Sequence, residues 1–159
     1  MMARYNAWQN NWLREVVEPM PEEDLRKDRG AFFGSIFATL NHILWADQIW
    51  FYRLGLADKP TVEAKNHKEA TPTIAVWGAE RFQMDGRITE WASGVEAIEL
   101  TGTVEWHSVF KGSTIENSRA LSIMHMFNHQ THHRGQVHAM LTAAGQKTSD
   151  TDLPFLELG

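Results

Sequence analysis

Four of the chain's eight histidines fall in one short run, His125-Met126-Phe127-Asn128-His129-Gln130-Thr131-His132-His133, and Arg134-Gly135-Gln136 follow at once. Neutral imidazole is a common ligand for borderline transition metals. Two residues four apart on an α-helix stand one turn above each other on one face, so their rings can converge on one ion. The run reads as a metal-binding element carried by a helix.

Which rings face inward follows from the turn of the helix. At about 100° per residue, with His125 at zero, Met126, Val137, Met140 and Ala144 lie at roughly 60–120°, and Ile123 and Leu141 near 160°. On that wheel His133 falls near 80° and His129 near 40°, His125 and His132 lie at the rim, and His138 points away. His129 and His133 are the inward pair. Two imidazoles make a weak and unselective site, so a third ligand has to come from another helix. His42 is the best candidate: it sits between Leu40-Asn41 and Ile43-Leu44-Trp45, where an uncompensated imidazole would lose its hydrogen bonds to water. A single buried histidine is ordinarily a satisfied core residue, and it is the company of His129 and His133 that moves the reading to metal. Three neutral histidines leave coordination positions open, the arrangement of a catalytic centre rather than a closed structural one. Asn41, Asp47 and Gln136 are candidates to hydrogen-bond the outward ring nitrogens. His67, His107 and His138 are given surface roles, and Arg134 a salt-bridging or packing one. Asp47, Glu105 and Glu116 are general-base candidates by residue type alone.

Composition narrows the chemistry further. The 159 residues, 43% of them apolar, suit one domain spanning 1–159. A net charge of -5 with scattered Lys and Arg gives no basic field for phosphate backbones, so no nucleic-acid partner is expected. The absence of cysteine excludes a disulfide framework, thiolate ligands and a cysteine nucleophile. No apolar run approaches the roughly 20 residues of a membrane span, and the first residues lack a secretory pattern, so a cytoplasmic protein with no membrane partner is expected.

The elements that must position the histidines are helical. Residues 3–17 place Tyr5, Trp8, Trp12, Leu13 and Val16 at spacings of three and four and predict a first helix, followed by a short helical turn from Pro21. Ser35 caps a second long helix that runs to about Leu54 and stops at Gly55; it is apolar nearly all round, as in a bundle interior or a subunit interface. Residues 57–72 read as a polar connection. A third helix begins at Thr73 and ends at Ser93-Gly94, weakened but not broken by Gly78 and Gly86. Residues 99–110 alternate enough for a small hairpin or extended loop. The last helix opens at Asn117 or Ser118 and ends at Ala144-Gly145. The fold expected is all-α, a four-helix bundle with a short hairpin or loop before the last helix.

Tyr5-Asn6-Ala7-Trp8, then Leu40-Asn41-His42 followed by Asp47, then Asn128-His129-Gln130-Thr131-His132-His133-Arg134-Gly135-Gln136 together resemble the DinB-like (damage-inducible) superfamily of metalloproteins across essentially the whole chain. The resemblance implies up-down-down-up connectivity, frequent dimerisation, and a divalent metal such as nickel or zinc held by one histidine of the second long helix and two of the last. Carried over, these are His42, His129 and His133. Members include enzymes that use mycothiol, bacillithiol or glutathione in isomerisation or S-transfer. The expectation is therefore a divalent-metal-dependent enzyme acting on a small molecule, a thiol-dependent transferase or isomerase or a hydrolase using metal-activated water, and a homodimer. The alternative is a non-catalytic, metal-binding stress-response bundle acting through dimerisation or a partner. Nickel or zinc leads, and iron or copper suits three imidazoles nearly as well. A low-molecular-weight thiol is the second cofactor the resemblance implies.

Overall fold

Three side-chain oxygens set where three of the four long helices begin. Ser35 Oγ accepts from the Ala38 N–H at 3.1 Å, Thr73 Oγ1 from Val76 at 3.3 Å and Ser118 Oγ from Leu121 at 3.2 Å. Each thereby satisfies a donor that the first turn would leave without a partner. The computed structural model describes residues 1–109 and 111–156. Its helices are α1 (Met2–Val17), α2 (Glu22–Arg26), α3 (Ile36–Arg53), α4 (Ile74–Gly94) and α5 (Arg119–Ala143). Gly55 at φ 75° and Gly145 at φ 77° end α3 and α5 in the left-handed region. In both, the N–H of the residue after the glycine returns to the last turn, Leu56 to the Phe51 carbonyl at 2.9 Å and Gln146 to Leu141 at 3.0 Å.

The chain is mostly helical but not all-α. Strands β1 (Thr103–Ser108) and β2 (Ser113–Ser118) form a two-stranded antiparallel sheet with Thr103 opposite Ser118 and Ser108 opposite Ser113. The hairpin therefore reaches past the 99–110 segment in which the sequence placed it. Ser-Thr-Ile-Glu-Asn-Ser carries too little β-branched or aromatic character to announce β2 alone; pairing with β1 makes it a strand. Residues 97–100 are a short 3₁₀ turn, and Phe110 lies outside the described residues. The 57–72 connection also contains a 3₁₀ helix, Ala64–Glu69, packed against α3.

The four long helices close on one another: α1 packs on α4 and α5, and α3 packs on the same two. Leu13, Leu40, Leu44, Trp77, Ile88, Met126, Val137 and Leu141 belong to their shared core. The apolar girth of α3 is absorbed here, since its residues from Ile36 to Phe51 are largely buried inside the same chain.

Through this core runs a polar layer to which every long helix contributes. Arg81 of α4 is fully buried and lies 2.7 Å from Asp47 of α3 and 2.9 Å from Asp85. Asn10 of α1 donates to Asp85 at 2.9 Å and to Gln130 of α5 at 3.3 Å, and Gln130 donates to Asp47. Arg134 of α5 donates to Gln130 at 2.6 Å and to Asn6 of α1 at 2.7 Å. Burial pushes the Asp47 carboxyl up to about 6 against the pull of Arg81. Burial acts to lower Arg81, but Asp85 and Asp47 outweigh it and hold the guanidinium charged. At neutral pH the two arginines and two aspartates balance. Arg81→Met leaves two buried carboxylates without their cation, so urea denaturation should show a loss of about 3–5 kcal/mol. A loss below about 1 kcal/mol would contradict this account of the layer.

Candidate metal centre

The polar layer decides where the rings of α5 point. Gln130 and Arg134, which tie α5 into the layer, each follow a histidine directly, so locking them inward places His129 and His133 on the adjoining face. His133 is buried and His129 half-buried. Asp47 does the same for α3, holding the helix that carries His42.

The three rings meet. One ligand nitrogen from each of His42, His129 and His133 lies within 4.8 Å of the others, and this group can hold a metal ion. His42 Nε2 and His129 Nε2 are 3.1 Å apart, and the ring centroids of the trio are 4.4–4.9 Å apart. Imidazole nitrogens sharing one tetrahedral ion sit roughly 3.3 Å apart, a spacing that the His42–His129 pair already comes close to. Burial, reinforced by the neighbouring imidazoles, lowers His42 to about 2 and His129 to about 3; burial also lowers His133. The rings are thus neutral with lone pairs available, as a metal requires. The donor set is three imidazoles with no thiolate, which suits zinc, nickel, copper or iron.

Around the trio, the structure sorts the sequence candidates. Gln136 does meet an outward nitrogen, with its Oε1 2.8 Å from His133 Nδ1. Asn41 does not: its Oδ1 accepts from the Thr71 N–H and hydroxyl at 2.9 and 2.7 Å. Asp47 is committed to Arg81 and Gln130, and Glu105 and Glu116 face each other across the exposed hairpin, so none is placed as a base for the trio. His125 stacks edge-on against Trp50 at 5.2 Å, and Trp50 in turn packs on the half-buried Trp106. His132 is exposed and His107 lies exposed on β1. His138 points away from the trio, yet not into solvent: α1 packs on that flank, and its Trp12 meets the ring at 5.8 Å. Arg134 is buried in the polar layer and pairs with neutral amides rather than in a salt bridge.

Sequence reasoning missed four residues. Arg81 looked like any helix arginine, and Gln130 like a spacer in the histidine run. His67 was assigned to the surface, but the Ala64–Glu69 turn carries its Nδ1 to 2.9 Å from His42 Nδ1. Phe33 lies in a tight loop closed by the Arg29 N–H to the Gly34 carbonyl at 2.8 Å, and its ring centroid is 4.1 Å from His42, 5.1 Å from His133 and 5.3 Å from His67. The glycines at 30 and 34 were the signal of that loop; nothing in the spacing showed where it folds.

The sequence profile of the DinB family matches residues 1–158. Protein DinB of Bacillus subtilis (strain 168) is 25% identical over 156 residues, spanning 95% of this chain and 88% of that protein. A solved structure of a DinB-like protein from Bacillus cereus superposes with a TM-score of 0.68 at 16% identity, over 92% of this chain and 90% of that one, and shows the same fold.

The depressed histidines carry a pH signature. Unfolded histidines take up protons near 6.5, whereas folded His42 and His129 resist until about 2 and 3. Below 6.5 the unfolded state binds more protons, so metal-free stability falls with falling pH, by up to about 1.4 kcal/mol per unit for each ring. Melting temperatures measured from pH 7 to 4 should fall less steeply in the His42→Gln/His129→Gln double variant than in the wild type. Equal slopes would contradict the assignment.

Proposed function

The chain belongs to the DinB family, and from that premise we propose that His42, His129 and His133 hold a divalent transition metal in an enzyme acting on a small molecule. The observation that carries the reading is the meeting of three desolvated, neutral imidazoles from two helices, while His42 and His129 keep partial access to solvent. An ion bound there would supply Lewis acidity and lower the pKa of a thiol or water beside it. The chain's own part is to hold the rings neutral by burial, to orient His133 through Gln136, and to set the apolar ring of Phe33 against His42 and His133. Nickel or zinc is the proposed ion, iron or copper the next choice. The proposed reaction is transfer or isomerisation with a low-molecular-weight thiol, or hydrolysis by an activated water. The second reading, a non-catalytic metal-binding stress-response protein, is favoured by one observation: of the candidate carboxylates, Asp47 is engaged by Arg81, and Glu105 and Glu116 lie exposed on the hairpin.

We read the four long helices as a single-domain bundle with up-down-down-up connectivity. Three sets of contacts support it. α4 runs alongside α3 in the same direction, with Trp77 at Leu40, Arg81 at Asp47 and Trp91 at Phe51. α5 runs against α3, with His133 at His42 and His125 at Trp50. α1 runs against α4, with Asn10 at Asp85 and Arg14 at Phe82. No helix among the described residues is long and apolar enough to cross a membrane, and a cytoplasmic protein without a nucleic-acid partner completes the proposal. A homodimer is part of it too, but α3 is buried within the chain, so the interface has to use another face.

Elemental analysis of untagged protein should find one equivalent of metal. His42→Ala, His129→Ala and His133→Ala should each abolish it, whereas His138→Ala should leave it intact; full metal in any of the first three sinks the assignment. Adding 2-mercaptoethanol to the cobalt-loaded protein should raise a thiolate-to-cobalt absorption band if a coordination position is open, and an unchanged spectrum favours the non-catalytic reading. Sedimentation at micromolar concentration should give a dimer mass, and a monomer removes that part of the proposal.

A further inference from the structure

The connection between α3 and α4 is pinned to α3 on both sides of His67. Trp45 Nε1–H donates to the Val62 carbonyl at 2.9 Å, and Asn41 Oδ1 accepts both the Thr71 N–H and its hydroxyl. Asn41 and Thr71 are almost completely buried. These anchors flank His42 in sequence, one residue before it and three after, so the segment they hold is laid across the His42 ring. His67, half-buried on the 3₁₀ turn between the anchors, meets His42 Nδ1 with its own Nδ1 at 2.9 Å, and the Trp45 ring also packs on it with centroids 5.7 Å apart.

This contact has a consequence for proton placement. A neutral imidazole carries one ring proton, and a ligating nitrogen needs a free lone pair. His42 Nε2 is the atom that faces His129 Nε2. To present that lone pair, His42 must carry its proton on Nδ1, and a half-buried N–H needs an acceptor. The acceptor in reach is His67 Nδ1, whose own proton then sits on Nε2. His133 follows the same rule, with its Nδ1 against Gln136 Oε1 and its Nε2 free.

We infer that His67 is a positioning residue of the metal centre: it fixes His42 in the Nδ1–H tautomer and so turns the Nε2 lone pair toward His129 and His133. It is not a fourth ligand, because it meets the ring nitrogen of His42 that points away from the trio. The stretch between α3 and α4, read from sequence as a polar connection, thereby belongs to the site. The inference rests on the three-histidine assignment above, and the test separates the two.

Two variants discriminate. His67→Leu keeps bulk and removes the acceptor; His67→Asn places an amide oxygen near the position of Nδ1. Zinc affinity is read by competition with a chromophoric chelator, and the tautomer of His42 in metal-free protein by ring ¹⁵N chemical shifts. Wild type should bind one zinc and show His42 protonated at Nδ1. His67→Leu should still bind one zinc, on the order of 10–100-fold more weakly, with His42 shifted toward the Nε2–H tautomer, and His67→Asn should restore most of both. Zinc affinity and tautomer unchanged in His67→Leu overturn the inference. Loss of the zinc equivalent in both variants also overturns it, by making His67 a ligand. A wild type that binds no zinc removes the three-histidine assignment, while the shifts of His42 still decide the role of His67.

Discussion

The buried pair of Arg81 with Asp47 and Asp85 is the constraint on which the rest of the structure turns. A guanidinium with no exposed surface is tolerated only if its charge is met, and the two carboxylates that meet it come from different helices. Apolar faces slide and rotate against one another at little cost, whereas these groups pair only where the helices bring them together. Asn10, Gln130, Arg134 and Asn6 carry the same specification into α1 and α5. The histidines inherit their orientation from it.

Charge balance within the layer matters to the centre beside it. Two buried arginines without their aspartates would put positive potential next to the imidazoles, and two aspartates without their arginines would draw protons onto them. Compensated, the layer leaves desolvation and mutual repulsion as the leading influences on His42 and His129, and both act against protonation. A rigid scaffold and a set of neutral nitrogen donors follow from one arrangement of side chains.

Segments outside the long helices finish the centre. The tight loop before α3 brings Phe33 over two of the three rings, and the connection after α3 brings His67 to the back of His42. Both are held by backbone hydrogen bonds or by buried polar anchors on α3. The hairpin before α5 contributes to the opposite flank, where Trp106 packs on Trp50 and Arg53 lies over both rings.

The helix boundaries were legible in the sequence because they are local: Ser35, Thr73 and Ser118 cap by reaching three residues ahead, and Gly55 and Gly145 end helices by their own backbone freedom. The inward pair His129 and His133 was legible for the same reason, since helical rotation is a property of one segment. His42 could be singled out as a polar ring in an apolar helix, and its meeting with the other two was decided only by packing. Strand β2 was hidden because its conformation depends on a partner strand. Arg81, Gln130, His67 and Phe33 were hidden because their roles lie in contacts across the chain, which no spacing encodes. Sequence alone determined periodicity, caps and donor types, all set within a few residues. Tertiary structure decided which polar groups share the interior and which connection covers the rings, because those depend on desolvation and charge pairing among residues distant in the chain.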